Sequence, residues 1–344
     1  MPASKETSIR AVARAADVSV ATVSRIVNGI RDRAAPETIA RVEAAIKALD
    51  YRPQSVGRAL RQRESRIVGV LVANLSNPAM AAIAASIEVA LRTSGYVMAL
   101  CDTHEDPEIQ DEYLREMEAQ LASAIVMVVA VHSPGLDLAR KSGRPLVFVS
   151  RRDPGNPAAP FVGINDEEAG HAVAACCLER GWRQPSVLHA SIQYSAGALR
   201  LKGLRDGFAR AGIEIATFTA DGRHHMEIGY LAARKAFSAF PGTDVMIALS
   251  DLLAYGAYRA VNERHAPAAP ALFSFDGNPL NDWIGPWLNS VRVPHEKLGP
   301  QVVEALEGIV TGQPPRAYFV PFELIQRDRP EPDFPSLHHR PKSS

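Results

Sequence analysis

The chain is poor in the residues that staple or anchor a protein. Its only cysteines are Cys101, Cys176 and Cys177, without paired metal-ligand spacing, and neighbours such as Cys176 and Cys177 on a helix seldom bridge. That argues against a disulfide framework and a cysteine metal centre, and reduced, half-buried thiols are expected. No stretch approaches the roughly 18 to 20 apolar residues of a membrane span. The opening residues Met1 to Ser8 are polar and hold no apolar run of signal-peptide length, so the expected compartment is the cytoplasm. The 10 histidines are scattered, with His224 and His225 in a loop and His338 and His339 in a tail, and no His-Glu-x-x-His spacing occurs. Gly-x-Ser-x-Gly, Walker and dinucleotide fingerprints are missing as well. With no nucleophile, metal or cofactor motif, neither catalysis nor a bound cofactor or metal is expected.

Net charge is lacking too, since 38 Lys and Arg balance 38 Asp and Glu over 344 residues. The balance is uneven along the chain. Residues 1–66 hold 13 Lys or Arg against 7 Asp or Glu, a net of +6 that the remainder offsets. This asymmetry places a nucleic-acid partner at the N-terminus. The length allows two or three domains, and a hydrophobic fraction of 47% suits a soluble globular chain.

Val12, Ala13 and Ala16 recur at helical spacing, Asp17 stands where a tight turn is needed, and Ser19 suits the N-cap of a second helix. That helix turns Val23, Ile26 and Val27 inward, leaves Val20, Ala21, Thr22, Ser24 and Arg25 outward, and stops at Asn28-Gly29. Two short helices joined this way form a helix-turn-helix, whose second helix enters the DNA major groove. The geometry also occurs in small helical bundles that never touch DNA. A third helix is predicted from Pro36 to about Asp50, with Ile39, Val42, Ala45, Ile46 and Leu49 closing a small core.

The run Val18 to Gly29, followed by Thr38, by Ala44 to Pro53 and by Arg58-Ala59-Leu60, closely resembles the headpiece of the LacI/GalR family of bacterial transcription regulators. By itself the basic stretch from Gln54 to Arg66 reads as a solvated linker. The resemblance implies instead a hinge helix that forms on DNA and wedges Leu60 into the minor groove. Gly57, where the family often has alanine, weakens that helix by about 1 kcal/mol.

From Arg66 onward, apolar strand candidates (Ile67–Val72, Tyr96–Cys101, Ala124–Ala130, Pro145–Ser150, Phe161–Ile164, Ser186–Ala190, Val245–Ser250, Ala271–Phe275, Val291–Val293) alternate with amphipathic helices. Such alternation means parallel sheets covered on both faces, and the length points to two lobes. The fold class is therefore an all-α helix-turn-helix headpiece plus an α/β core of two doubly wound parallel-sheet lobes. The resemblance implies a periplasmic-binding-protein-like core crossed near Ile164, Val293 and Phe322. The expected division is a headpiece at 7–53, a hinge at 54–65, and a two-lobed effector-binding and dimerisation domain at 66–329. Its N-lobe takes 66–163 and 295–322, and its C-lobe 164–292 and 323–329. Residues 330–344 read as a disordered tail without the leucine heptads of a tetramerisation coil.

Ligands of open α/β sheets bind beyond the carboxyl ends of the strands. This rule selects Asn74, Ser76, Asp102, Ser150, Arg151, Ser250 and Asp276, and Arg200 joins them from the Ser195 to Gly203 stretch. Carboxylate, guanidinium and amide are the planar partners that sugar hydroxyls want. Asp251 reads as a helix N-cap. The resemblance favours ligand contact for Arg200 and Asp276. It also marks departures: Ala79 and Met80 replace the family's aromatic residues, Ser150 its aspartate, and Trp182 its histidine. Trp182 lies far from the expected cleft, whereas the loss of the aspartate at Ser150, with Arg151, Arg152 and Arg200 kept, leaves a less acidic pocket and leans toward an anionic ligand.

The reading is a homodimeric, ligand-responsive regulator, a repressor by expectation, with its effector a sugar, sugar acid or sugar phosphate. Val20, Ala21, Thr22 and Arg25 face base edges of a pseudo-palindromic operator, Ser19, Ser24 and Asn28 hold phosphates, and Leu60 wedges. The alternative is a solute-binding protein of a transport system, which shares the two-lobed core but has no use for a headpiece.

Overall fold

The computed structural model describes residues 8–27, 30, 34–51, 65–190, 195–222, 225–264 and 269–327. Asn28, Gly29, Gln54 to Glu64 with Leu60, His224 and the 330–344 tail lie outside the described residues. The chain divides into two compact units, Met1–Ser65 and Arg66–Ser344.

The first unit has three helices: α1 (Ile9–Ala15), α2 (Val20–Val27) and α3 (Pro36–Ala48). Ser8 caps α1 by accepting from the Ala11 N–H, and Asp17 makes the α1–α2 turn at φ 50°. Ala35 offers no side-chain cap to α3, and Pro36 compensates by taking the first helical position, where an N–H has no intrahelical partner. The core is Val12, Ala13, Ala16, Val23, Ile26, Val42 and Ala45, with Ile39, Ile46 and Leu49 half-buried against it.

The second unit alternates strands and helices. Its first lobe holds β1 (Ile67–Val72), α4 (Pro78–Thr93), β2 (Val97–Asp102), α5 (Pro107–Ala119), β3 (Ala124–Val128), α6 (Pro134–Lys141), β4 (Leu146–Val149) and β5 (Phe161–Gly163). The second lobe holds α7 (Asp166–Glu179), β6 (Pro185–Leu188), α8 (Ser195–Ala209), β7 (Ala216–Phe218), α9 (His225–Ala239), β8 (Val245–Ala248), α10 (Asp251–Glu263), β9 (Ala271–Asp276), α11 (Asn281–Ile284) and β10 (Asn289–Arg292). The chain then returns to the first lobe as α12 (His295–Val310), which packs on α4, and β11 (Ala317–Phe319), and ends in the second as β12 (Glu323–Ile325).

The sheet orders are β11-β5-β4-β3-β1-β2 and β12-β10-β9-β8-β6-β7. Every pairing is parallel except β10 with β12, whose short return makes it antiparallel. Fully buried strands such as β3 and β8 explain why these segments read as unbroken apolar runs. Ile164, Val293 and Phe322 lie in the three passages between the sheets.

One close helix approach positions the site. A Cβ on Gly203 of α8 would collide with the Glu167 carbonyl of α7, and one on Gly170 with the Arg200 carbonyl of α8. Glycine at both positions lets the helices touch and brings Arg200 beside the start of α7.

Candidate functional site

In the headpiece, the sequence at the start of α2 satisfies its own backbone. The Thr22 N–H donates to Ser19 Oγ at 3.1 Å, and the two hydroxyls lie 2.8 Å apart. Ser19 is thus a helix cap whose hydroxyl is shared with Thr22. Val20 is 42% exposed, Ala21 and Arg25 are exposed, and Thr22 and Ser24 are half-buried. Arg25 lies along the helix, its Nε donating to the Ala21 carbonyl at 3.3 Å. An exposed strip of small and hydroxyl side chains with one arginine suits close approach to base edges.

In the second unit, the residues chosen by the strand-end rule gather at the carboxyl ends of the two sheets. In the first lobe, Asn74 Oδ1 accepts from the Ser76 N–H at 2.9 Å. Asp102 accepts from the Leu75 N–H at 3.0 Å and the His104 N–H at 3.1 Å, so it ties two strand-end loops together. Arg151 Nη1 donates to the Ala130 carbonyl, and its Nη2 stands 3.6 Å from Glu105. Glu105 also lies 3.9 Å from His225 Nε2 on α9, which bridges from the other lobe. Backbone strain concentrates here: His104, Glu105, Val129 and Ser150 end β2, β3 and β4 at φ 53°, 56°, 65° and 62°, and Asp276 ends β9 at φ 105°. Such conformations cost about 1–3 kcal/mol each and cluster where a site needs a fixed shape.

The second lobe's contribution is centred on Arg200, which is only 8% exposed. Its Nε donates to Asp166 at 2.8 Å, and its Nη1 donates to the Leu249 carbonyl at 2.8 Å and to Asp276 at 3.3 Å. The guanidinium also lies 5.0 Å from the centre of the Phe275 ring. Burial raises the Asp276 pKa to about 7, against the pull of Arg200 and with the push of Asp251. Burial likewise raises Asp166, opposed by Arg200.

Asp166 is the residue the sequence reading missed. It follows β5 and Asn165, so the same strand-end rule would have found it. Asp251 needs correcting: Ser250 is the N-cap of α10, accepting from the Leu253 N–H at 3.4 Å, while Asp251 is the first helical residue. Its buried carboxylate accepts from Ser274, Ser290, Asn278 and Asn281, binding the β9, β10 and α11 region to α10. Ser250, expected to contact ligand, is that N-cap and keeps its hydroxyl hydrogen and a second lone pair.

The lean toward an anionic ligand loses its basis. Arg200 faces two carboxylates, Arg151 faces Glu105, and Arg152 stacks 4.5 Å over Phe161. Cys176 and Cys177 are fully buried rather than half-buried, and burial raises both thiols. His225, expected in a loop, begins α9. Glu167, His171 and Asp206 stand close enough to ligate a metal, but Lys202 already bonds both carboxylates there.

Comparison with known proteins matches both units. The family model described as periplasmic binding proteins and sugar binding domain of LacI family covers residues 65–271, and that of the bacterial regulatory proteins, lacI family, covers 8–54. The ribose operon repressor of Bacillus subtilis is 29% identical, over 89% of this chain and 92% of the relative. The transcriptional repressor PurR of Photobacterium profundum is 28% identical, over 87% and 90%. The regulator PtxS of Pseudomonas putida is 27% identical, over 94% and 96%. Among solved structures, the lac repressor dimer bound to operator and the anti-inducer ONPF superposes with a TM-score of 0.82 at 21% identity, covering 94% of this chain and 98% of that one. With one family model over more than half of its length and another over the helix-turn-helix, the chain belongs to the LacI family of bacterial regulatory proteins.

Proposed function

We propose that this protein is a ligand-responsive transcriptional repressor that acts in the cytoplasm as a homodimer on a pseudo-palindromic operator, with affinity set by a sugar at the facing sheet ends. The observation that carries the reading is the pairing, in one chain, of an exposed helix-turn-helix strip with a two-sheet core whose strand ends converge on Asp166, Arg200 and Asp276. The relatives are named as repressors and regulators, which favours regulation over solute transport and over catalysis. Among the described residues no helix is long and apolar enough to cross a membrane.

On this reading Val20, Ala21, Thr22 and Arg25 meet base edges, while Ser19, Ser24 and Asn28 hold phosphates and Leu60 wedges into the minor groove. Arg25→Ala should lose about 1–3 kcal/mol of discrimination at one base pair in each half-site. Operator variants scored by gel shift check this, and unchanged selectivity removes Arg25 from base reading. At the effector site, Asn74, Ser76, Asp102, Ser150 and Arg151 offer polar groups from one lobe, and Arg200, Ser250 and Asp276 from the other. Because the arginines there are balanced by carboxylates, a neutral sugar fits better than an anion.

A thermal-shift screen against neutral sugars, sugar acids, sugar phosphates and purines tests the effector class, because a ligand at 100 times its dissociation constant adds about 2.7 kcal/mol. Stabilisation by a neutral sugar, followed by altered operator affinity in its presence, is the expected result. Stabilisation by acids or phosphates alone contradicts the balanced charge, and a hit without effect on operator binding contradicts ligand-responsive repression.

A further inference from the structure

Three side chains that can ligate a metal meet where α7 and α8 touch. Glu167 and His171 stand four residues apart on α7 and so share one face, and the tilt of helical side chains toward the N-terminus leans His171 back toward Glu167. Asp206 comes from α8. Glycines draw the two helices together at this point. A Cβ on Gly203 would meet the Glu167 carbonyl and the His171 backbone nitrogen, and one on Gly207 would lie 2.5 Å from the Ala174 Cβ. As a result, one ligand atom from each of Glu167, His171 and Asp206 lies within 4.8 Å of the other two.

His171 supplies the observation that points to a ligand. The residue is half-buried, and its Nδ1 is buried without a hydrogen-bond partner among the described residues. An unpaired buried ring nitrogen is costly, and a bound ion is one of the ways in which proteins satisfy such an atom. The carboxylates already converge on positive charge, since Lys202 Nζ donates to Glu167 and, at 3.1 Å, to Asp206. That ammonium leaves the His171 Nδ1 unserved. The Lys202 side chain is 55% exposed, so it can turn into water when a cation of higher charge takes its place. Two carboxylates then neutralise a doubly charged ion, and the imidazole completes a three-residue ligand set.

We propose that Glu167, His171 and Asp206 form a site for a divalent transition metal of the zinc class, with water completing the shell. One imidazole and two carboxylates suit zinc, whereas magnesium and calcium seek oxygen ligands. The site joins the two helices that carry Asp166 and Arg200, so a bound ion braces the second lobe's share of the strand-end network. Spacing along the chain hides it, because the third ligand comes from a different helix.

Calorimetric titration of the full chain with zinc chloride, after metals have been stripped with a chelator and the chelator removed, tests the proposal. A saturable site that depends on His171 is expected. His171→Gln and Asp206→Asn should each weaken it at least tenfold. Lys202→Met should tighten it at least threefold, since the competing ammonium is gone. Replacing His338 and His339 together by alanine should leave it within twofold. Zinc should also raise the melting temperature of the parent but not of His171→Gln, and magnesium at the same concentration should raise neither. The proposal is overturned by the absence of saturable zinc binding, by zinc affinity that survives His171→Gln, by loss in the His338 and His339 variant, by no gain in Lys202→Met, or by magnesium binding as tightly as zinc.

Discussion

Two carboxylates around one buried arginine give Arg200 a structural role in the second lobe. Removing one member of such a group strands the others, and a buried charge without its partner costs about 3–5 kcal/mol. Arg200→Met should therefore lower unfolding stability by about that amount in urea melts, and Arg200→Lys should recover little, because an ammonium lacks the planar fork that reaches Asp166, Asp276 and the Leu249 carbonyl together. Asp276 gives a separate pH signature. Its native pKa, raised to about 7, exceeds the ordinary carboxylate value, so between about pH 4 and 7 the native state holds a proton that the unfolded state has lost. Its contribution to stability is present at low pH and declines as pH rises through that window. Asp276→Asn removes the decline, so the melting temperature of the variant minus that of the parent should grow from pH 4 to pH 8; a constant difference rules out a raised Asp276. The sequence marks Arg200 and Asp276 as candidates at the strand ends but not as members of a buried network, since sequence position says nothing of what shields a side chain. Asp166 stands just past β5 and is also the first residue of α7, capped by Asn165, so its polar character has a local explanation that hides its place in the network.

The elements themselves follow local chemistry where they are long. Asn77, Asp106, Ser133 and Ser250 all cap helices as their side chains dictate, and three of these helices open on proline. The short edge strands β7, β11 and β12 were not legible, because three residues cannot display a period and their pairing depends on the neighbouring strand. Ser133-Pro134 signals the start of the eight-residue α6, but Leu136 is its one buried residue, so its helical period is weak in the sequence. The α7–α8 contact yields a prediction of the opposite sign to helix propensity. Alanine is favoured over glycine in a helix interior by about 1 kcal/mol, yet at Gly203 the added methyl meets the Glu167 carbonyl. Backbone cannot rotate out of the way, so α7 and α8 must separate. Gly203→Ala should destabilise by about 1–3 kcal/mol net, the usual cost of overpacking. It should also weaken effector binding, because Arg200 and Asp166 sit on the two helices that move apart. A stabilised variant would show that the helices yield freely.

At the scale of the whole molecule, the core is divided in an instructive way. One hydrophobic cluster runs through both lobes of the second unit, from Val68 and Val126 to Phe273 and Leu298, whereas the headpiece has its own small cluster around Val12, Val23 and Val42. The two lobes are therefore expected to unfold together, and the headpiece, near the lower size for independent stability, apart from them and first. A chain beginning at Arg66 tests this division. Its main calorimetric transition should match that of the full protein within about 2 °C, a shift that corresponds to less than about 1 kcal/mol in a domain of this size. Effector should raise that transition equally in both, since the strand-end residues all lie beyond Arg66. Operator binding should vanish with the headpiece. A drop of many degrees on truncation would mean that residues 1–65 brace the second unit in the free protein, and ligand response would then have to pass through a fixed contact between the units. Unchanged melting leaves the covalent linker as the route by which ligand binding reaches DNA.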